Sequence, residues 1–225
     1  MKLTIVLAES ALGLVPDKIK RHPAVANDAR RRDKDATSIL LDRSIHHAAM
    51  VKLREDYKRG RPDLVHVTLL SITGSPLFMD GLVKVYVHTS DDVVIEIAAG
   101  TRIPKSYFRF RNLMEKHLSE RSDTELIRVY EQSIGVLIRK TVRPDLVIGL
   151  STQGRFARPE DVARRLVEAR NPALLIGGFP HGHFGEGTIS VLDDLARVHE
   201  KSLDAHVVAA RVVYEVERAN EPGSR

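Results

Sequence analysis

The feature that most narrows what this chain can fold into lies between Pro144 and Gly178. An apolar run, DLVIGL, is followed by the charged segment RPEDVARRLVEAR and then by a second apolar run, PALLIGG. Strand, helix-length segment and strand in that order make a crossover unit, so the two runs pair in parallel and the domain is α/β. Pro159 suits the first turn of the intervening helix, where its missing N–H costs nothing. The second run breaks off at Gly177 and Gly178, at the head of the loop GFPHGH. Loops at the carboxyl ends of strands are where open α/β sheets bind ligands, and glycine lets main chain come close to one.

At 225 residues and 43% hydrophobic content, the chain supports one large domain or a fused pair with a normal core. Nothing approaches the roughly 20 apolar residues of a membrane span, and the opening MKLTIVLAES is too short an apolar run for a secretory signal. An intracellular, cytoplasmic location is the default expectation. The absence of cysteine removes disulfides, thiolate catalysis and Cys-ligated metals together. Thirty-five Lys and Arg stand against 30 Asp and Glu, a net charge of +5. A surplus that small does not identify a polyanionic partner, so its distribution matters more than its sum.

Along the chain, LTIVLAES reads as a strand. PDKIKRHPAVANDARRRDKD is polar and broken by two prolines, so it reads as loop with a helical turn, and its basic residues Arg30 to Arg32 form a candidate flexible arm. In TSILLDRSIHHAAMVKLREDYKRG, Ile45, Ala48, Ala49 and Leu53 are spaced like a helix face, with Asp42 or Ser44 as cap and Gly60 as stop. LVHVTLLSI fits either a strand or a helix. LVKVYVHTSDDVVIEIA reads as a hairpin around an acidic turn, and SYFRFRNLMEKHLSE as an amphipathic helix carrying Phe108, Leu113 and Leu118. SLDAHVVAARVVYEVERAN makes about five helical turns with Val207, Val208, Arg211, Val212 and Val216 on one face. The expected whole is one α/β domain over 1–225 with a hairpin-bearing insertion at about 60–105.

Three constellations carry chemistry. In GFPHGH, His181 and His183 look like ligands, with Glu186, His199 and His206 as further metal candidates, but no HExxH spacing is present. Walker and Rossmann spacings are also missing, so a backbone cradle for an uncharged or cationic ligand suits the loop better than a phosphate site. In KRGRPDLVH, Arg61 and Asp63 flank Pro62 as an ion pair, which on this pattern alone is as compatible with a solvated turn as with a site. In TRIPKSYFRFR, Arg102, Lys105, Arg109 and Arg111 stand without an acid among Tyr107, Phe108 and Phe110. Cations beside aromatics that can stack on a base are what looped or single-stranded RNA needs, and a solvated helix end is the alternative. If a helix begins at 105, Lys105 and Arg109 share a face while Phe108 turns to the core.

The motifs RGRPDLVH, SPL, VYVHT, RIPKSYFRFRNLM, LLIGGFPHGHF and SLDAHVVAARVVYEVE, in this order, resemble the Nep or Emg ribosome-biogenesis proteins, in an archaeal form. The resemblance implies a SPOUT-type parallel sheet with a C-terminal trefoil knot and a β-hairpin insertion. It implies a homodimeric S-adenosyl-L-methionine-dependent methyltransferase acting on N1 of a pseudouridine in small-subunit rRNA, with ribosomal proteins or assembly factors as further partners and no membrane. Position by position, it puts the cofactor against Leu150, Gly177, Gly182, Val198, His199, Glu200, Lys201, Ser202 and Leu203. It puts RNA against Arg61, Arg102, Lys105 and Arg109, with lysine standing at 105 where an arginine is usual. Asp63 is implied to orient Arg61, with general base as its sharper alternative. A non-catalytic rRNA-binding assembly factor is the competing reading, and a His-based metal hydrolase the third.

Overall fold

The computed structural model describes residues 2–220. The first strand, β1 (Leu3–Ser10), shows why the fold is layered. Leu3, Ile5 and Leu7 enter one apolar cluster, while Val6 and Ala8 enter another on the opposite face. A strand apolar on both faces needs cover on both sides, as parallel sheets have. The other strands are β2 (Val83–Thr89), β3 (Val93–Ile97), β4 (Ile127–Glu131), β5 (Leu146–Phe156), β6 (Pro172–Gly177) and β7 (Asp194–Arg197). Among the described residues they form one seven-stranded sheet in the order β4-β3-β2-β1-β6-β5-β7. β2, β1, β6, β5 and β7 run parallel, and β3 and β4 extend the β2 edge antiparallel. The parallel pair expected from DLVIGL and PALLIGG is β5 with β6, in register Val147 to Ala173, and LVKVYVHTSDDVVIEIA is the β2–β3 hairpin.

The helices are α1 (Pro23–Arg31), α2 (Arg43–Met50), α3 (Pro62–Thr73), α4 (Pro76–Met79), α5 (Tyr107–Glu120), α6 (Ile134–Val136), α7 (Pro159–Glu168), α8 (Glu186–Ile189) and α9 (Ala205–Asn220). Val65 and Leu69 of α3, Phe110 of α5, Leu166 of α7 and Val212 of α9 cover one face of the sheet. Ile134, Leu137, Phe184 and Val191 cover the other. LVHVTLLSI, open between strand and helix, is α3: Pro62 occupies its first turn, and the hydroxyls of Thr68 and Thr73 donate to Leu64 O and Leu69 O at 2.8 Å.

Several expectations are corrected. The segment read as loop holds α1, whose N-cap His22 accepts from Ala24 N at 3.3 Å and whose inner face is Val25, Asp28 and Ala29. A buried aspartate hid the apolar pattern. α2 is capped by Asp42 as expected, but it ends at Met50, and its buried positions include His46 while Ala48 is exposed. Gly60 instead closes the following connection, at φ +71° with its carbonyl accepting from Arg43 N. α5 begins at Tyr107, which turns Phe110, Met114 and Leu118 inward and leaves Phe108 61% exposed rather than in the core. In α9 the inner face is Ala205, Ala209, Val212, Val213 and Val216, and Arg211 is exposed. β4 and β7 carried no expectation, because five and four residues are too short to establish a period.

Candidate functional site

A cavity of about 430 Å³ opens at the carboxyl ends of β5, β6 and β7, where open α/β sheets take ligands. Its apolar floor is Leu150, Ile176 and Val198, and Ser151, Thr152 and Ser202 bring hydroxyls to it. Gly177 and Gly182 form its corners. A Cβ on Gly177 would meet the Phe179 ring at 2.8 Å; on Gly182, which sits at φ +96°, it would meet Tyr57 at 2.9 Å. Only glycine keeps that corner open without strain. His199, Lys201 and Leu203 also line the cavity, whereas Glu200, expected with them, does not. Lys201 N donates to His199 Nδ1 at 3.0 Å, so that ring folds its own loop.

Gly178, where the second apolar run breaks off, docks the loop onto β1 rather than facing the cavity. Its N–H donates to Ala8 O at 2.9 Å, its carbonyl accepts from Ala11 N at 2.8 Å, and a Cβ would stand 2.9 Å from Ser10 Cα. His181 and His183 are exposed in the loop. Among the described residues no three His, Cys, Asp or Glu side chains gather where a metal ion could be held. The cradle is made of backbone, hydroxyls and apolar walls, with Arg61, Arg197 and Lys201 as its cations and Asp204 as its acid.

Arg61 stands at the rim of the same cavity. Asp63 grips it through both forks, Nε to Oδ1 and Nη2 to Oδ2, each 2.8 Å, and Arg61 N donates to Ala11 O at 3.0 Å. The hydrogen bond and charge of Asp63 raise the guanidinium's pKa. Burial pushes the Asp63 carboxyl up, but the hydrogen bond and charge of Arg61 outweigh it and leave the group below the usual carboxylate range. Asp63 is therefore a hydrogen-bonding clamp and a poor proton acceptor.

The stretch 102–111 is tied to the helix that starts beside Arg61. His66 Nε2 bonds Pro104 O at 2.7 Å and its ring stacks on Phe110, with centroids 4.3 Å apart. Tyr107 donates to Asp42 Oδ2 at 2.9 Å. Arg102, Lys105 and Arg109 lie outside the cavity lining, are exposed, and make no ion pair or side-chain hydrogen bond among the described residues. Lys105 precedes α5, so the shared helical face with Arg109 is not formed. Arg111 instead lies over the exposed Phe108 ring, 5.2 Å from its centroid. The candidate arm at Arg30 to Arg32 is not free. Arg31 pairs with Asp28 at 2.6 Å, Arg32 bridges Asp28 and Glu115, and Arg30 donates to Asn27 at 3.3 Å.

The fold and the site together define an α/β protein with a cavity at the carboxyl edge of a parallel sheet, beside an exposed cationic face. The model of the EMG1/NEP1 methyltransferase family matches residues 5–217, and the chain belongs to that family. It is 39% identical over 216 residues to the ribosomal RNA small subunit methyltransferase Nep1 of Staphylothermus marinus, covering 94% of this chain and 93% of the relative. It is 38% identical to the protein of the same name from Thermococcus kodakarensis, covering 96% and 98%. The crystal structure of Archaeoglobus fulgidus Nep1 bound to S-adenosylhomocysteine superposes with a TM-score of 0.86 at 37% identity, over 97% of this chain and 99% of that one. The α/β, SPOUT-type sheet with its hairpin, implied by the motifs, is thus the fold observed. Among the described residues no helix is long and apolar enough to cross a membrane.

Proposed function

We propose that this protein transfers the methyl group of S-adenosyl-L-methionine to N1 of a pseudouridine in small-subunit rRNA. The observation that carries the reading is the meeting of two surfaces at Arg61: a glycine-cornered cavity suited to the cofactor and, reached through α3 and α5, a face of unpaired cations suited to RNA. The structural relative bound to S-adenosylhomocysteine supports the cofactor, and the relatives' names support the RNA. The pseudouridine target is what the motifs imply.

When bound, S-adenosyl-L-methionine supplies an electrophilic methyl on a sulfonium. The chain's own work is positional. Gly177 and Gly182 admit the ligand against main chain, the 198–203 run closes over it with Glu200 turned away, and Arg61, Arg102, Lys105 and Arg109 hold the RNA. Asp63 presents Arg61 in a fixed orientation. Holding the nucleophilic nitrogen in line with the methyl supplies most of the acceleration, and water receives the N1 proton in preference to the clamped Asp63.

The same proposal covers the rest of the architecture. The chain works as one domain with 60–105 as an insertion, in the cytoplasm and as a homodimer. The C-terminal knot is part of what the motifs imply. β7 pairs with β5 on the side away from β6, and α9 packs on α7 and β6.

The test is methyl transfer from labelled S-adenosyl-L-methionine to two matched RNA hairpins, one with pseudouridine and one with uridine in the loop. Transfer to the pseudouridine hairpin alone is expected. Tight RNA binding with transfer to neither favours the assembly-factor reading.

A further inference from the structure

Glu9, outside the cavity, combines an unusual backbone with a full set of hydrogen-bond partners. It lies at φ +51°, a left-handed conformation costly to any side chain but glycine, where β1 slips register between Leu7 and Ser10. Every polar group of the residue is engaged. Its N–H donates to His88 Nδ1 at 3.4 Å and its carbonyl accepts from Ser90 Oγ at 3.1 Å. Its Oε1 accepts from Gly185 N at 2.7 Å and from Thr188 Oγ1 at 2.6 Å, and its Oε2 accepts from Lys58 Nζ at 2.7 Å. Strain held in place by so many partners marks a built position.

Lys58 completes the arrangement. Its side chain is 6% exposed, its ammonium lies 4.9 Å from the Phe179 ring centroid, and its stem is 3.3 Å from where a Cβ of Gly182 would stand. The pair thus grips the loop at both ends, Phe179 and Gly182 on one side, Gly185 and Thr188 on the other. Glu9, Lys58, His88 and Gly185 are among the residues that line a second cavity of about 200 Å³. Gly177 and residues 179–184 of the loop line the first cavity and Gly185, Gly187 and Thr188 line the second, with Phe184 as a buried apolar anchor between them.

We propose that Glu9 and Lys58 are positioning residues for methyl transfer, a latch that holds the 177–188 loop in its cofactor-accepting shape. Neither residue lines the cofactor cavity. The inference rests on the reading that this cavity takes S-adenosyl-L-methionine.

Three variants test it: Glu9→Gln, which keeps an acceptor for Gly185 and Thr188 but loses the charge facing Lys58; Lys58→Met, which keeps the stem; and the double variant. S-adenosylhomocysteine binding by calorimetry, RNA hairpin binding, thermal unfolding, and amide hydrogen exchange of residues 177–188 without ligand are measured on each. The expected result is about tenfold weaker S-adenosylhomocysteine binding in each single variant, a size typical of residues that act without touching ligand. The double variant loses no more than the weaker single one, because the two act as one unit. Exchange at Gly182 and Gly185 accelerates and RNA affinity holds, while the unfolding temperature falls in the single variants, each of which leaves one buried charge unpaired, and recovers in part in the double variant. Wild-type affinity and exchange in the variants overturn the latch. So does a parallel fall in cofactor and RNA affinity of the folded variants, which marks a general structural role. Wild-type protein that binds no S-adenosylhomocysteine overturns the cofactor reading instead, and the inference with it. Lys58→Met carries the test if Glu9→Gln does not fold.

Discussion

Two arginine-rich stretches, ARRRDK at 29–34 and TRIPKSYFRFR at 101–111, look alike in the sequence and end in opposite states. In the first, Arg31 and Arg32 meet Asp28, and Arg32 and Lys34 meet Glu115, so the charges close on each other. In the second, Arg102, Lys105 and Arg109 meet no acid among the described residues. A count of charges therefore does not locate a polyanion site. What decides is whether the fold brings a carboxylate to the cations, and here it brings Glu115, in α5, back to α1 from over eighty positions away.

The largest expected effect breaks the closed half of that comparison. The Glu115 side chain is 1% exposed and accepts from Arg32, from Lys34 and from Leu40 N at 3.0 Å. Glu115→Ala strands a buried Arg32, a loss of about 3–5 kcal/mol for a buried pair broken on one side. For a chain of this size that lowers the unfolding temperature by roughly ten degrees. RNA affinity of the still-folded protein stays put, and a loss of RNA binding without loss of stability would make 29–34 an RNA arm after all. The same hub gives acid lability. Burial raises the carboxyl pKa values of Asp28 and Glu115, but their cationic partners outweigh it and hold both low. Such groups stabilise fully above their unfolded pKa of about 4, and the contribution is lost as pH falls through the folded values. His46 acts earlier. Burial lowers its pKa, so only the unfolded chain protonates just below about pH 6.5, and stability begins to fall there.

The open half is probed by Arg109→Ala. An exposed, unpaired side chain contributes within about 0.5 kcal/mol of stability, so the unfolding curve should overlay the wild type. RNA affinity should fall about tenfold, and the slope of log K against log salt should flatten by about one, as for a lost phosphate contact. Cofactor affinity is the internal control and should not move.

The contrast also explains which parts of the molecule were readable from residues alone. Crossover pairing, the hairpin and the glycine corners are local, written in runs such as DLVIGL and in GFPHGH, and they appear where expected. α1 was missed because its inner face is finished by Asp28, whose partners come from α1 itself, α2 and, through Arg32, α5. Phe108 was turned the wrong way because a helix start two residues later rotates the inner face onto Phe110. Glu9 and Lys58 left no trace at all, since a left-handed residue inside a strand and an ion pair across 49 positions are properties of the assembled sheet. The family resemblance supplied what periodicity lacked, including Arg61 among the residues set against RNA.

The smallest effect is the sharpest test of what the open cations do. Lys105 is exposed, unpaired and placed just ahead of α5, at a position where the motif usually has arginine. Lysine offers RNA a mobile point charge; arginine offers the same charge as a planar fork that binds phosphate through two hydrogen bonds or stacks on a base. Lys105→Arg leaves net charge and the number of released counterions unchanged, so the salt slope of RNA binding should be identical to the wild type's. If the position touches RNA directly, affinity should rise about threefold, the size of one improved hydrogen bond. If the charge acts only at a distance, affinity as well as slope will stay flat, and the direct contacts of this face will reduce to Arg61, Arg102 and Arg109. The two outcomes differ in one number while stability, cofactor binding and salt dependence are all held fixed, which is why a conservative exchange separates contact from field better than removal of the charge would.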